Sequence, residues 1–335
     1  MPARPPEADP AAIPPGLDPL PIRVAVLDWY ERTGRSLPFR GATDPWAILV
    51  SEAMAQQTQA DRAGEAWTAF MAVYPRPASL AAASPAEVLR AWRGLGYNRR
   101  AIALRAAAIA IVREHDGHVP DDLDALRRLP GVGPYTARAV AALAFRRPVG
   151  AVDTNVRRVL TRFAPPPLVA SPACLQAFAD ALVDPARPGE WTHALMDVGA
   201  RVCRTRPACG ECPLATWCAS RQRWAAAGSA MATRPTYRAA TDGGRVRAAH
   251  AVSARERPAP FATTTRWLRG RIVDRLRDGE DGAWVRLDEG FGQHDAAAVA
   301  AALEGLETDG LVERHAVDPA LARLPATVSE PGTER

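Results

Sequence analysis

Residues Leu129 to Val159 constrain the fold more than any other stretch. Leu129-Pro-Gly-Val-Gly133 sets two glycines around one apolar residue, a spacing that makes a tight hairpin with outward-facing backbone N–H groups. A helix-like run follows from Tyr135 to Phe145, and an amphipathic segment opened by Asp121, Asp122 and Asp124 precedes it. The local prediction is therefore helix, hairpin, helix. The positive end of the second helix adds to the hairpin N–H groups and suits a phosphate. Val152-Asp-Thr-Asn155 then places a carboxylate on a short loop. Taken alone, such a hairpin signals DNA binding without base preference, and an ordinary helix–helix corner has the same pattern.

The rest of the chain repeats the helical theme. From Ile22 onward, apolar residues recur at helical spacing in Val24 to Tyr30, Trp46 to Gln59, Trp67 to Tyr74, Val88 to Trp92 and Ala101 to Val112. No stretch alternates like a half-buried strand, and Pro and Gly fall between the periodic segments. The expectation is an all-α, multi-helix domain over residues 22–224, after a disordered leader at 1–21. An Arg-dotted linker is expected at 225–260. Residues 261–318 form a small α+β unit with helices over Arg266 to Arg277 and Ala296 to Asp309 and a strand opening at Gly310. Residues 319–335 complete the chain as a disordered tail.

Composition narrows the class of function. No apolar run is long enough to span a bilayer, and the start lacks a charged-then-apolar pattern, so a cytoplasmic setting is expected. A net charge of +5 leans weakly toward a polyanion. All 42 basic side chains are Arg, and Lys is absent. A Schiff-base mechanism needs a deprotonatable amine, which guanidinium does not supply.

Two further stretches carry chemistry. On a helix starting near Pro45, Glu52, Gln56 and Gln59 share one face, which is either a solvated stripe or a working surface. The uncharged amides of Gln56 and Gln57, with Thr58, can hydrogen-bond to bases without competing for phosphates. Gly94-Leu-Gly-Tyr97 leads into two arginines, a pattern for a nucleic-acid loop or for a capped helix end with a packed Tyr97.

The cysteines are more specific. Cys203, Cys209, Cys212 and Cys218 lie within sixteen residues, and four thiolates so close indicate a metal site rather than disulfides. Zinc and a [4Fe–4S] cluster are the candidates. Structural zinc usually shows two short hooks and only one is present here, which favours the cluster. Arg204 and Arg206 on the same loop would face phosphate.

Together, Ser51-Glu-Ala-Met-Ala-Gln-Gln-Thr-Gln59, Gly94-Leu-Gly-Tyr97, Leu129-Pro-Gly-Val-Gly-Pro-Tyr-Thr-Ala137, Val152-Asp-Thr-Asn-Val156, Met196-Asp-Val-Gly199 and the four cysteines stand in the order seen in the MutY family. Over Ile22 to Arg223 the chain resembles adenine DNA glycosylases of the helix-hairpin-helix superfamily, which implies a two-lobed helical fold and a nucleoid-associated monomer. The resemblance implies a [4Fe–4S] cluster on Cys203, Cys209, Cys212 and Cys218. It makes Glu52 the acid that protonates the departing adenine and later handles water, and Asp153 the carboxylate that stabilises the sugar cation. Tyr135 sits by the sugar and Asn155 orients Asp153. Gln56, Gln57, Thr58, Tyr97, Leu129, Gly131, Val132, Gly133, Arg204 and Arg206 contact DNA. Related enzymes that also cut the strand carry a Lys in the place of Tyr135.

The chain departs from the family in two places. The gap from Cys203 to Cys209 holds five residues where six is usual. The sheet-rich, nucleotide-hydrolase-like domain that reads 8-oxoguanine in many members is not recognisable, and residues 261–318 resemble a winged-helix fragment, expected as a basic cap. The implied function is hydrolytic removal of adenine paired with 8-oxoguanine or guanine in double-stranded DNA. The same fold acting on thymine or uracil opposite guanine is the nearest alternative. A non-catalytic DNA-binding protein is disfavoured by the joint presence of Glu52, Asp153 and Asn155.

Overall fold

The structure is a computed structural model that describes residue 13 and residues 17–226 and 260–326. In chain order its helices are α1 (Pro19–Thr33), α2 (Pro45–Ala55), α3 (Ala60–Val73), α4 (Pro77–Ala82), α5 (Pro85–Ala91) and α6 (Arg99–Glu114). They continue with α7 (Leu123–Arg128), α8 (Pro134–Phe145), α9 (Thr154–Phe163), α10 (Pro172–Leu182), α11 (Pro188–Asp197) and α12 (Ala219–Ala226). α13 (Thr265–Arg277) and α14 (Ala296–Thr308) complete the set, with short strands β1 (Val285–Arg286), β2 (Glu313–Arg314) and β3 (Leu321–Arg323). The expectation of a helical fold with a small α+β unit at its C-terminal end agrees with this order.

Local chemistry sets most helix starts. Asp18, Asp122, Asp153 and Ser171 accept a hydrogen bond from a backbone N–H of the turn that follows, and proline occupies the first turn of α1, α8, α10 and α11. Each pairing satisfies or removes a backbone donor that the first turn leaves without a helical partner.

The chain divides into two compact units, and the division is discontinuous. The first contains the residues up to Glu52 and those from Val119 through α12. There α11 packs against α1, α8 and α9. Ile22, Val26, Leu160, Phe178, Leu182, Trp191 and Val198 form a common core, in which each large apolar side chain contributes roughly 1.5–3 kcal/mol by leaving water. The second unit joins Ala53–His118 to the C-terminal segment. In it α4 and α5 pack on α6, α13 packs on α5 and α14, and Phe70 meets Trp92 edge-on at 5.9 Å.

This division differs from the expected boundaries. A single domain at 22–224 followed by a linked cap follows chain order. Instead, the Arg277 side chain of α13 is buried and donates to the Leu89 carbonyl and to Asn98 Oδ1, which draws the C-terminal segment into one unit with Ala53–His118. α1 begins at Pro19, inside the expected leader, because Asp18 caps it. β3 lies inside the expected tail, where it pairs antiparallel with both β1 and β2 in the order β1-β3-β2. This segment runs helix, strand, helix and two strands, and its three strands form one small sheet. Most of the expected linker and the end of the expected tail lie outside the described residues.

Candidate active site

Glu52 lies near the end of α2, 8% exposed, and shares a hydrogen bond with the Tyr135 hydroxyl. Burial pushes its carboxyl up to about 7. The Asp153 charge adds to the rise, and the Tyr135 hydrogen bond and the Arg40 charge oppose it. Tyr135 occupies the first turn of α8, directly after the hairpin, so the hairpin fixes where its side chain points. Burial and the adjoining carboxylates raise its phenol well above the ordinary range, and it remains a hydrogen-bond donor.

Asp153 is the N-cap of α9. Its Oδ1 accepts from Val156 N at 2.6 Å and its Oδ2 accepts from Asn155 Nδ2 at 3.3 Å. Asn155 is held in turn by Arg158, whose Nη2 donates to Asn155 Oδ1 at 2.8 Å and to the Gly199 carbonyl at 2.6 Å. Arg158 Nε donates to the Cys203 carbonyl at 2.7 Å. A Cβ at position 199 would stand 2.7 Å from Asn155 Cβ, so only glycine permits this approach. All four residues expected to be catalytic therefore belong to the first unit, and polar contacts link them in two pairs, Glu52 with Tyr135 and Asp153 with Asn155.

Sequence reasoning missed the cluster around Asp197, whose Arg40 acts on the Glu52 charge. Asp197 is fully buried and accepts from Arg40 Nη1 and Nη2 at 2.7 Å each, from Arg35 Nε at 2.6 Å and from Arg35 N at 2.9 Å. Burial alone would raise its carboxyl; the Arg40 and Arg35 hydrogen bonds and charges outweigh it and hold the carboxyl below the usual range. His193 titrates near 3 because burial and the Arg40 charge both disfavour imidazolium. Phe39, Arg40, Ser51 and His193 share a cavity of about 210 Å³. Its aromatic, guanidinium, hydroxyl and neutral imidazole groups suit a planar heteroaromatic ring with a hydrogen-bonding edge. Arg35 and Arg40 carried no local signal among 42 arginines, and Asp197 appeared only inside a motif.

Cys203, Cys209, Cys212 and Cys218 line one small cavity with Arg162 and Trp224. Among the described residues no three His, Cys, Asp or Glu side chains converge as a single bound ion requires. Four thiols around a shared cavity are a donor set that fits a polynuclear cluster, in which each sulfur binds its own iron. Burial pushes the Cys212 thiol up to about 12, so ligation must release its proton. Arg162 donates to Cys203 Sγ at 3.5 Å and lies over the Trp224 ring. Arg204 and Arg206 are exposed on the loop between the first two cysteines.

In the hairpin, Leu129 and Val132 are buried, whereas Gly131 and Gly133 are exposed and Gly131 takes φ +75°. Val132 N donates to the Leu129 carbonyl at 3.1 Å, which closes the turn.

The second unit holds the remaining expected DNA contacts. Gln56, Gln57 and Thr58 follow α2, and Tyr97 stands in the loop before α6. Gln57 and Tyr97 take φ +55° and +46°, and a non-glycine residue there costs on the order of 1–3 kcal/mol. Arg100 supplies the compensating hold. Its guanidinium donates to the carbonyls of Ala53, Met54 and Gln56 on one side and of Leu95 and Gly96 on the other, and lies between the Trp92 and Tyr97 rings.

Comparison with known proteins follows the same outline. Residues 50–168 match the model of the HhH-GPD superfamily base excision DNA repair proteins. An adenine DNA glycosylase of Mycolicibacterium smegmatis is 40% identical over 297 residues, covering 88% of this chain and 93% of that protein. A thymine/uracil-DNA glycosylase of Pyrobaculum aerophilum is 36% identical over 212 residues, covering 61% and 92%. The solved structure of a thermostable thymine-DNA glycosylase aligns at a TM-score of 0.58 with 27% identity, covering 61% of this chain and 97% of that one. With its helix-hairpin-helix fold and a relative matched over nearly its whole length, the chain belongs to the adenine DNA glycosylase family of helix-hairpin-helix base excision repair proteins.

Proposed function

We propose that the chain removes adenine from double-stranded DNA at a mispair with 8-oxoguanine or guanine, by hydrolysis of the N-glycosidic bond. The observation that carries this reading is a buried carboxyl, Glu52, that keeps its proton up to about pH 7 within the field of a second carboxylate, Asp153. Cleavage needs a proton on a poor leaving group and negative charge beside a developing oxocarbenium ion. Glu52 delivers the proton to the base and, once ionised, accepts one from the attacking water. Asp153, fixed by Val156 N and Asn155, is the group that stabilises the sugar cation. The Tyr135 hydroxyl orients Glu52. The mispair lowers the cost of extruding the base, which is otherwise a few kcal/mol.

Cys203, Cys209, Cys212 and Cys218 would hold a [4Fe–4S] cluster. Bound there, it would tie the ends of this loop together, and Arg204 and Arg206 on the loop would face phosphate. With no Lys in the chain, no side chain can form a Schiff base with the abasic sugar, so the reaction stops at base release. We place the enzyme in the cytoplasm as a monomer. Among the described residues no helix is long and apolar enough to cross a membrane.

A second reading, removal of thymine or uracil opposite guanine, is favoured by the Pyrobaculum aerophilum relative. A panel of duplexes carrying each mispair, scored for abasic sites, decides between them. Adenine release from A opposite 8-oxoguanine or G is expected, and release of pyrimidines alone would overturn the first reading.

A further inference from the structure

Base release needs two groups at a set distance, because the base that Glu52 protonates and the sugar whose cation Asp153 stabilises belong to one nucleotide. A displacement of about 1 Å in such an arrangement costs on the order of 10²-fold in rate. The Glu52 and Tyr135 pair is anchored through α8, and the Asp153 and Asn155 pair through the start of α9. Residues 146–153 join these two helices without regular structure.

One carboxylate outside both pairs holds the two sides together. Asp180, on α10, accepts at Oδ2 from Arg138 Nη2 at 2.6 Å, and Arg138 stands on α8 three residues after Tyr135. At Oδ1 it accepts from Gly150 N at 2.7 Å, three residues before Asp153. Gln176, one turn earlier on α10, donates from Nε2 to the Gly150 carbonyl at 2.9 Å and to Asp180 Oδ1 at 3.1 Å. Both polar backbone groups of Gly150 are therefore held by α10. A Cβ at position 150 would stand 2.9 Å from Ala179 Cβ, so glycine is what lets the segment lie against that helix. An ion pair kept only for solubility orders little, and both its partners stay in water. Here the Arg138 and Asp180 side chains are 19% and 33% exposed, and Arg138 Nη1 is buried with no hydrogen-bond partner among the described residues. Reaching Asp180 thus costs Arg138 part of its hydration. We propose that Asp180 is a positioning residue for base release: by holding Arg138 and Gly150 on one carboxylate, it sets the separation between Tyr135, with Glu52, and Asp153. This rests on the glycosylase reading above and makes α10 part of the frame of the active site.

The test measures single-turnover adenine release from A opposite 8-oxoguanine, at saturating protein, for the full chain carrying Asp180→Asn, Arg138→Met or both. Duplex affinity is measured for the same variants in a Glu52→Gln background, which prevents turnover. Asn at position 180 keeps an oxygen for Gly150 N but turns an amide toward Arg138, so each single variant opens the same link. Each should slow release by about tenfold to a hundredfold and leave duplex affinity unchanged. The double variant should be no slower than the slower single one, as for two groups that act as a unit. Rates are taken below the melting transition of each variant, followed by circular dichroism, so a lower Tm does not by itself alter them. Unchanged rates in the folded variants would mean that the link serves stability only. A slower rate matched by weaker binding would mean a duplex contact, and losses that multiply in the double variant would mean that the two residues act separately. Any of these three overturns the proposal. If Asp180→Asn does not fold, the rate and affinity of Arg138→Met decide alone. Release by the unmodified protein is measured in parallel: its absence on every mispair sinks the glycosylase reading and this proposal with it, whereas its presence beside unaffected variants sinks the positioning role alone.

Discussion

A carboxyl group can protonate a departing base at neutral pH only where its surroundings hold the proton, and at Glu52 burial does this against the pull of Arg40. In the proposed mechanism the protonated form is the active one, so single-turnover adenine release should be level below about pH 7 and fall about tenfold per unit above it. Glu52→Gln should lower release by about 10² to 10⁴ while mispair affinity stays near that of the unmodified protein. A rate indifferent to pH between 6 and 9, on the order of the range in which such a group titrates, would remove Glu52 from the acid's role. Asp197 makes a different kind of contribution. Its carboxylate holds Arg35 and Arg40, and the pair it forms with Arg40 is buried. Asp197→Asn leaves those charges without their partner and should cost about 3 kcal/mol in urea unfolding, the lower end for a broken buried pair because Arg35 is one-third exposed. A loss below about 1 kcal/mol would show that the arginines find water instead.

At the scale of elements, α9 matters at its N-terminus and one turn further on. Its N-terminus holds Asp153, and Arg158, one turn further on, reaches the carbonyls of Gly199 and Cys203. Gly199→Ala would drive a methyl group against Asn155. It should lower stability by about 1–3 kcal/mol and slow adenine release without changing iron content. Normal kinetics in that variant would mean that Asn155 does not need its present position. The cysteine loop is tested by composition: purified protein should carry about four irons per chain, and Cys209→Ser should lower that number. Stoichiometric zinc without iron would replace the cluster by a single-ion site.

For the whole molecule, the absence of Lys sets a limit on chemistry that no arrangement of helices can lift. Products should remain uncut until alkali or heat is applied. Borohydride trapping of a side-chain adduct, with the terminal amine blocked, would contradict this. Periodicity and short motifs determined by themselves that the chain is helical and where the hairpin lies, and the family resemblance of those motifs nominated Glu52, Asp153, Asn155 and the four cysteines, because each of these is a property of a few neighbouring residues. Only the tertiary structure decided the rest. Asp197 meets Arg35 across 162 positions, Arg266 meets Tyr97 across 169, and β3 exists because β1 and β2 flank it. A shifted carboxyl, a buried ion pair and a short central strand all depend on what excludes water from them or supplies their hydrogen bonds. Those partners are brought in by folding from segments that sequence spacing does not connect.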